Sequence, residues 1–155
     1  MTLSTHVAIG AAIGFAVGNP WLGFGLGMLS HFLVDMIPHG DTQFATSFYE
    51  DADSRKFFLK YISIDATIAL LLILGIFAFF EVPTSDLALA GPIAGSILPD
   101  LLTGAHEILK TRLTKKYVKL HFFFHDFFTS RFGDIKLRHA LTGQAVVIAI
   151  ILNSL

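Results

Sequence analysis

The sequence predicts an all-α integral membrane bundle of five or six helices, and three observations carry that prediction. Charged residues make up 15% of the chain, against about 25% in a soluble domain, and they gather in two islands, 50–60 and 107–138. The mean hydropathy is +0.67, and long apolar spans separate the islands. Ala66 to Phe80 carries no charge, enough for most of a membrane crossing. The 155 residues suffice for one domain, 1–155, with a real core.

The elements follow in order. Met1 to His6 lacks the basic region of a signal peptide and is read as part of the fold. Residues 7–29 carry no charge, but Asn19-Pro20 is a turn signal that divides them. The first helix is expected from about Leu3 to Val17, capped by Ser4 or Thr5. The second is expected from about Pro20 to Ile37, with proline in its first turn. Gly10, Gly14 and Gly18 form a small-xxx-small row suited to close helix contact. Residues 40–56 are polar and mixed in sign, a solvated loop or surface helix. Phe57 to Phe80 is the clearest span, since at about 1.5 Å per residue it crosses a hydrocarbon core of about 30 Å. The next helix, about Ser85 to Leu109, contains Pro92 and Pro99, which predict kinks or a break. Thr111 to Lys119 is basic, read as a topology-setting loop or, more sharply, as a holder of anionic lipid head groups. His121 to Ser130 predicts a short Phe-rich interfacial helix, and Ile135 to Leu155 supplies the last. Two helical hairpins, each bringing polar residues to one end, suggest a weak internal repeat.

Lys and Arg flanking the spans set the expected sidedness. Arg55, Lys56 and Lys60 precede the clearest span, and Glu81 and Asp86 follow it without a base. Alternation then places His6, His31, Asp35, His39, Asp65, Asp100, His106, His121, His125 and His139 at one, cytoplasmic, end of the bundle. Such one-sided placement of all seven histidines points to a shared site.

With no Cys, a metal would be held by His, Asp and Glu. His31 and Asp35 lie four apart on one helix face, while Pro38 ends the helix and turns His39 and Asp41 back towards that end. Ionisable groups within an apolar span are costly and usually functional. The expected metal ligands are therefore His6, His31, Asp35, His39 and Asp100. Asp65, about one turn inside the apolar span, is the expected general base, and His125 a ligand or general acid. His121 is one turn from His125 and is weighed below it; His106 and His139 are weaker candidates. The expected ion is zinc, one or two per chain, with manganese as the alternative.

Ser30-His31-x3-Asp35 and Gly95-Ser-Ile-Leu-Pro-Asp100 resemble the Ser-His-x3-Asp and Leu-Pro-Asp elements of the membrane-bound metal-dependent hydrolases, among them the LexA-binding inner-membrane-associated hydrolases. The first element, with Pro38 and His39 behind it, is also distantly similar to the ligand helix of zinc-dependent phospholipase C and P1-type nucleases. The order of the two elements is reversed here, and Asp100-Leu-Leu-Thr stands where the families have Asp-x-Asp-His. The resemblance implies a metal-dependent phosphoester hydrolase of a bacterial or archaeal inner membrane. The expectation is a phospholipid-like substrate, membrane lipid as partner, and no nucleic acid, for which a net charge of −1 gives no electrostatic case. Two other classes fit the same residues: a metal-ion or proton transporter, and a structural subunit stapled by a metal.

Overall fold

The computed structural model describes residues 1–42 and 51–155, which form seven helices and no strand. The middle of the polar stretch expected at 40–56, residues 43–50, lies outside the described residues. Helix α1 (Leu3–Val17) is capped by Thr2, whose side chain accepts from the Thr5 amide, and it ends on Gly18 at φ 63. Gly18 is therefore a left-handed C-cap, not a third packing position in the glycine row. Helix α2 (Pro20–Asp35) has Asn19 as its cap and Pro20 at its first position, the combination that starts a helix at low cost.

Helix α3 (Ala52–Phe79), capped by Asp51, is longer than the expected span because its polar first turns continue the same helix. Helix α4 (Leu87–Leu109) keeps both prolines inside it. The basic run and the start of the Phe-rich segment, expected apart, merge into α5 (Arg112–His125), opened by a reciprocal capping box between Thr111 and Thr114. A single turn, α6 (Thr129–Phe132), and a final helix, α7 (Leu137–Ser154), complete the fold. Three helical stretches, Ala52–Phe79, Leu87–Glu107 and Leu137–Ser154, are long and apolar enough to cross a membrane. Their outward faces expose Leu70, Leu71, Leu74 and Ile150, which is compatible with lipid as their solvent.

α1 and α2 both pack tightly against α4, and α1 also meets α2, α3 and α7. Glycine makes this approach possible. A Cβ at Gly10 would stand 2.6 Å from Ser96 Oγ, one at Gly23 2.4 Å from Pro92 Cγ, and one at Gly27 2.3 Å from the Pro92 carbonyl oxygen. An apolar core of Val7, Ala11, Ala69, Ile76, Phe77, Leu89 and Ile93 joins α1, α3 and α4. The buried polar side chains fall elsewhere: none of those described lies in 7–30 or 66–95. The polar groups of the bundle are thus confined to one region, where α1 begins and α2 ends.

Candidate metal centre

Four elements deliver side chains to that region. His31 and Asp35 come from the last turn of α2, Asp100 from the second half of α4, and His121 and His125 from one face of α5, four residues apart. His39 and Asp41 come from the turn after α2. That turn is fixed by Gly40, at φ 83, where a Cβ would stand 2.6 Å from Leu137 Cα. Its amide and that of Thr42 donate to the two carboxylate oxygens of Asp134, at 2.8 and 3.1 Å. Asp134 thereby ties the turn to the α6–α7 connection.

Two groups of possible ligand atoms result: His31, Asp35, Asp100 and His121, and beside them His39, Asp41 and His125. In the first, His31 Nε2 lies 3.2 Å from Asp35 Oδ2 and 3.7 Å from Asp100 Oδ1. His121 Nε2 lies 3.9 and 3.8 Å from the same two oxygens. In the second, His39 Nε2, His125 Nε2 and Asp41 Oδ2 form a triangle with sides of 3.1, 3.3 and 3.0 Å. The Met1 α-amine joins the groups, donating to Asp35 Oδ1 at 2.5 Å and standing 2.7 Å from His39 Nε2.

The backing of the imidazoles sets their tautomers. His31 Nδ1 lies 2.8 Å from the Ser96 carbonyl oxygen, and His39 Nδ1 2.7 Å from that of Ile37. A carbonyl only accepts, so both Nδ1 atoms carry the proton and both Nε2 atoms present a lone pair inward. His125 Nδ1 faces the Asp126 carboxylate at 2.8 Å. An imidazole held through one nitrogen so that the other points inward is the arrangement typical of metal-bound histidine. Moreover, His31 Nε2 and Asp35 Oδ2 are both buried and have no hydrogen-bond partner among the described residues, as is also true of Asp41 Oδ1 and His121 Nδ1. Buried polar atoms left in this way cost about 1–3 kcal/mol each, and a cation would satisfy several at once. The donors are nitrogen and oxygen only, a set suited to zinc or manganese.

Charge follows the same geometry on the groups outside the apolar spans. Burial alone would raise Asp41, but the imidazoles of His125 and His39 beside it, His125 as hydrogen-bond donor, take it well below the usual carboxylate range. Burial works against a charged His125, yet its hydrogen bonds to Asp126 and Asp41 outweigh that and hold it up at about 10. His121, with less to offset its burial, is pushed down to about 4. The two histidines of α5 are therefore pushed in opposite directions, His125 towards the imidazolium and His121 towards the neutral imidazole.

The expected residues divide on this map. His31, Asp35 and Asp100 come together as ligand candidates, and His39 joins the neighbouring group. His6 stacks on His31, with ring centroids 4.1 Å apart, and its Nε2 lies 3.1 Å from Asp35 Oδ1. It holds the carboxylate from behind and is not in either group. Asp65, expected as a general base, is turned to another task. Its carboxylate accepts from the Leu3 amide at 2.6 Å, the Ser4 amide at 3.2 Å and Ser4 Oγ at 2.7 Å, which neutralises the open N-terminus of α1. His106 bonds to Thr114 at 2.8 Å, and His139 is exposed. Sequence reasoning underrates His121, although its spacing from His125 is the signal, and it turns Asp41 towards the site without including it among the ligands. Nothing in the sequence marked the backing groups Ser96 and Gln144. The latter's Oε1 accepts from the Thr2 amide, Thr2 Oγ1 and Thr5 Oγ1 and so anchors the start of α1 to α7.

Set against known proteins, the chain matches no protein-family model, no curated protein and no solved structure.

Proposed function

We propose that this protein is a membrane-bound metal-dependent hydrolase of a phosphoester, acting on a lipid at the cytoplasmic face of a bacterial or archaeal inner membrane. One observation carries the reading. The inward Nε2 lone pair of His31 faces a carboxylate oxygen of Asp35 at 3.2 Å, with neither atom hydrogen-bonded. Two electron-rich atoms held so close call for a cation.

In this reading His31, Asp35, Asp100 and His121 hold the ion. Bound there, zinc would supply Lewis acidity towards a phosphoryl oxygen and would acidify water. The protein's own groups set the geometry. The Ser96 carbonyl aims His31, and His6 with the Met1 amine fixes Asp35. Asp100, a quarter exposed where the other three are buried, marks the side from which a phosphate would approach. Asp65 serves the start of α1 and takes no proton from water.

A lipid substrate is supported by α5. The face opposite His121 and His125 carries Arg112, Lys115, Lys116 and Lys119, all exposed, and exposed Leu113, Leu120 and Phe123 flank them. Such a helix lies in the head-group layer and draws anionic lipid to it. A transport pathway needs polar groups along its length, whereas the described polar cluster has no continuation across the bundle.

The test is release of phosphate or head group from phospholipid by the full chain in mixed micelles, with zinc or manganese supplied, beside His31→Ala. Metal-dependent turnover that the variant loses is the expected result. An ion bound stoichiometrically with no cleavage of any phosphoester would leave a structural or transport role and overturn the hydrolase.

A further inference from the structure

We infer that His39, Asp41 and His125 form a second, separate metal site, with three protein ligands and one open position. The inference concerns ion binding and adds to the reading above without depending on hydrolysis.

Four features support it. The first is size. For bonds of about 2.0–2.1 Å, two ligands on a tetrahedral ion stand about 3.3 Å apart, and on an octahedral ion about 3.0 Å. The triangle has sides of 3.0, 3.1 and 3.3 Å, tighter than the 3.2–3.9 Å of the first group. The second is direction: the Ile37 carbonyl and the Asp126 carboxylate take the Nδ1 protons, so both Nε2 atoms point into the triangle. The third is burial. His39 and His125 are 4% and 6% exposed, and Asp41 Oδ1 is buried with no hydrogen-bond partner among the described residues. The fourth is rigidity, because Asp134 and the left-handed Gly40 hold the turn that carries two of the ligands.

The two groups differ in kind. The first offers four protein ligands, so that an ion there would take a substrate oxygen by expanding to five-coordinate, while the three of the second leave a position open for water or substrate. The side chain of Asp41, 28% exposed, places that open position towards the outside. Of the two roles expected for His125 from the sequence, ligand or general acid, this site takes the first. The Met1 amine, which touches both Asp35 and His39, shows that the groups adjoin.

Zinc stoichiometry tests the inference on the full chain in detergent, equilibrated with zinc, desalted and measured by elemental mass spectrometry, with helical circular dichroism as the folding check. The wild type is expected to hold two ions, His125→Gln one, and His31→Gln one. Should His125→Gln lose its helical signal, Asp41→Asn decides, since it keeps the shape of a partly exposed turn residue and should also drop the count from two to one. A single ion in the wild type that persists in His125→Gln and is lost in His31→Gln would overturn the second site and leave the first standing. Two ions retained in both His125→Gln and Asp41→Asn would likewise overturn it. No ion in the wild type would remove both sites.

Discussion

Gly27 offers a test of the packing that positions the metal centre. Its Cα hydrogen faces α4 so closely that an alanine methyl in its place would stand 2.3 Å from the Pro92 carbonyl oxygen and 3.0 Å from the Ser96 nitrogen. A carbon needs about 3.3 Å from a carbonyl oxygen, so Gly27→Ala must part α2 from α4 by about 1 Å. Overpacking on this scale costs about 1–3 kcal/mol, against which the better helix propensity of alanine returns about 1 kcal/mol. The difference is about 0–2 kcal/mol, and a 2.3 Å contact with a backbone atom, which cannot swing aside, puts the loss at the upper end, at about 2–4 °C in the midpoint of thermal unfolding for each kcal/mol. His31 lies one turn further on, on the same face, and its 2.8 Å bond to the Ser96 carbonyl spans the interface being opened. Zinc affinity should therefore fall about tenfold as the ring loses its backing. Gly25 is the control: on the same helix, its added Cβ would meet nothing within 4 Å, so Gly25→Ala should stabilise by up to about 1 kcal/mol and leave zinc affinity alone. Thermal unfolding in detergent with competitive chelator titration reads both quantities. If the two alanine variants shift together, or if Gly27→Ala is as stable as wild type, the close approach of α2 to α4 is wrong.

Asp65→Asn should lower stability by about 1.5–3 kcal/mol through its weakened bonds to the first amides of α1, with ion stoichiometry unchanged. Lost turnover at undiminished stability would instead make Asp65 the general base. The chelated protein should also show a pH dependence set by His125. Its value in the fold, about 10, lies above the ordinary value of about 6.5, so its contribution is complete below about 6.5 and is lost as pH rises through about 10. Unfolding midpoints measured with chelator should fall across that window in the wild type and stay flatter in His125→Gln; parallel curves would refute the assignment.

The helix boundaries were legible because their signals are local. Asn19-Pro20 acts within three residues of itself and caps the helix whose start it marks, whereas Asp51 caps α3 ahead of the start expected at Phe57. His31 and Asp35 were legible for the same reason, since a four-residue spacing fixes a shared face without tertiary information. Asp65 misled because its partner is remote: sequence places a carboxylate inside an apolar span but not the N-terminus of α1 against it, 61 and 62 residues away. The division of the ligands between two groups was hidden likewise. It depends on how far α5 turns between His121 and His125, and on Asp134 drawing the 38–42 turn towards α7 across more than 90 residues.

A proton could take the place of an ion in either group, and electrostatics limits how well. With Nδ1 tied to Ile37, His39 can become a donor at Nε2 only by becoming a cation, and the same holds for His125 bound to Asp126. Two cations 3.1 Å apart would repel by about 5 kcal/mol at an effective dielectric of 20. Asp41 lies beside both rings and offsets part of this for one proton, in keeping with the raised value of His125. One proton thus serves the pair, and the Met1 amine, 2.7 Å from His39 Nε2, is the other donor within reach. A divalent ion at the centre of the triangle would meet all three side chains at once, and its charge would be balanced by Asp41 with support from Asp126. Proton and ion must then compete for the same nitrogen, so filling the triangle should expel the proton that His125 carries at neutral pH.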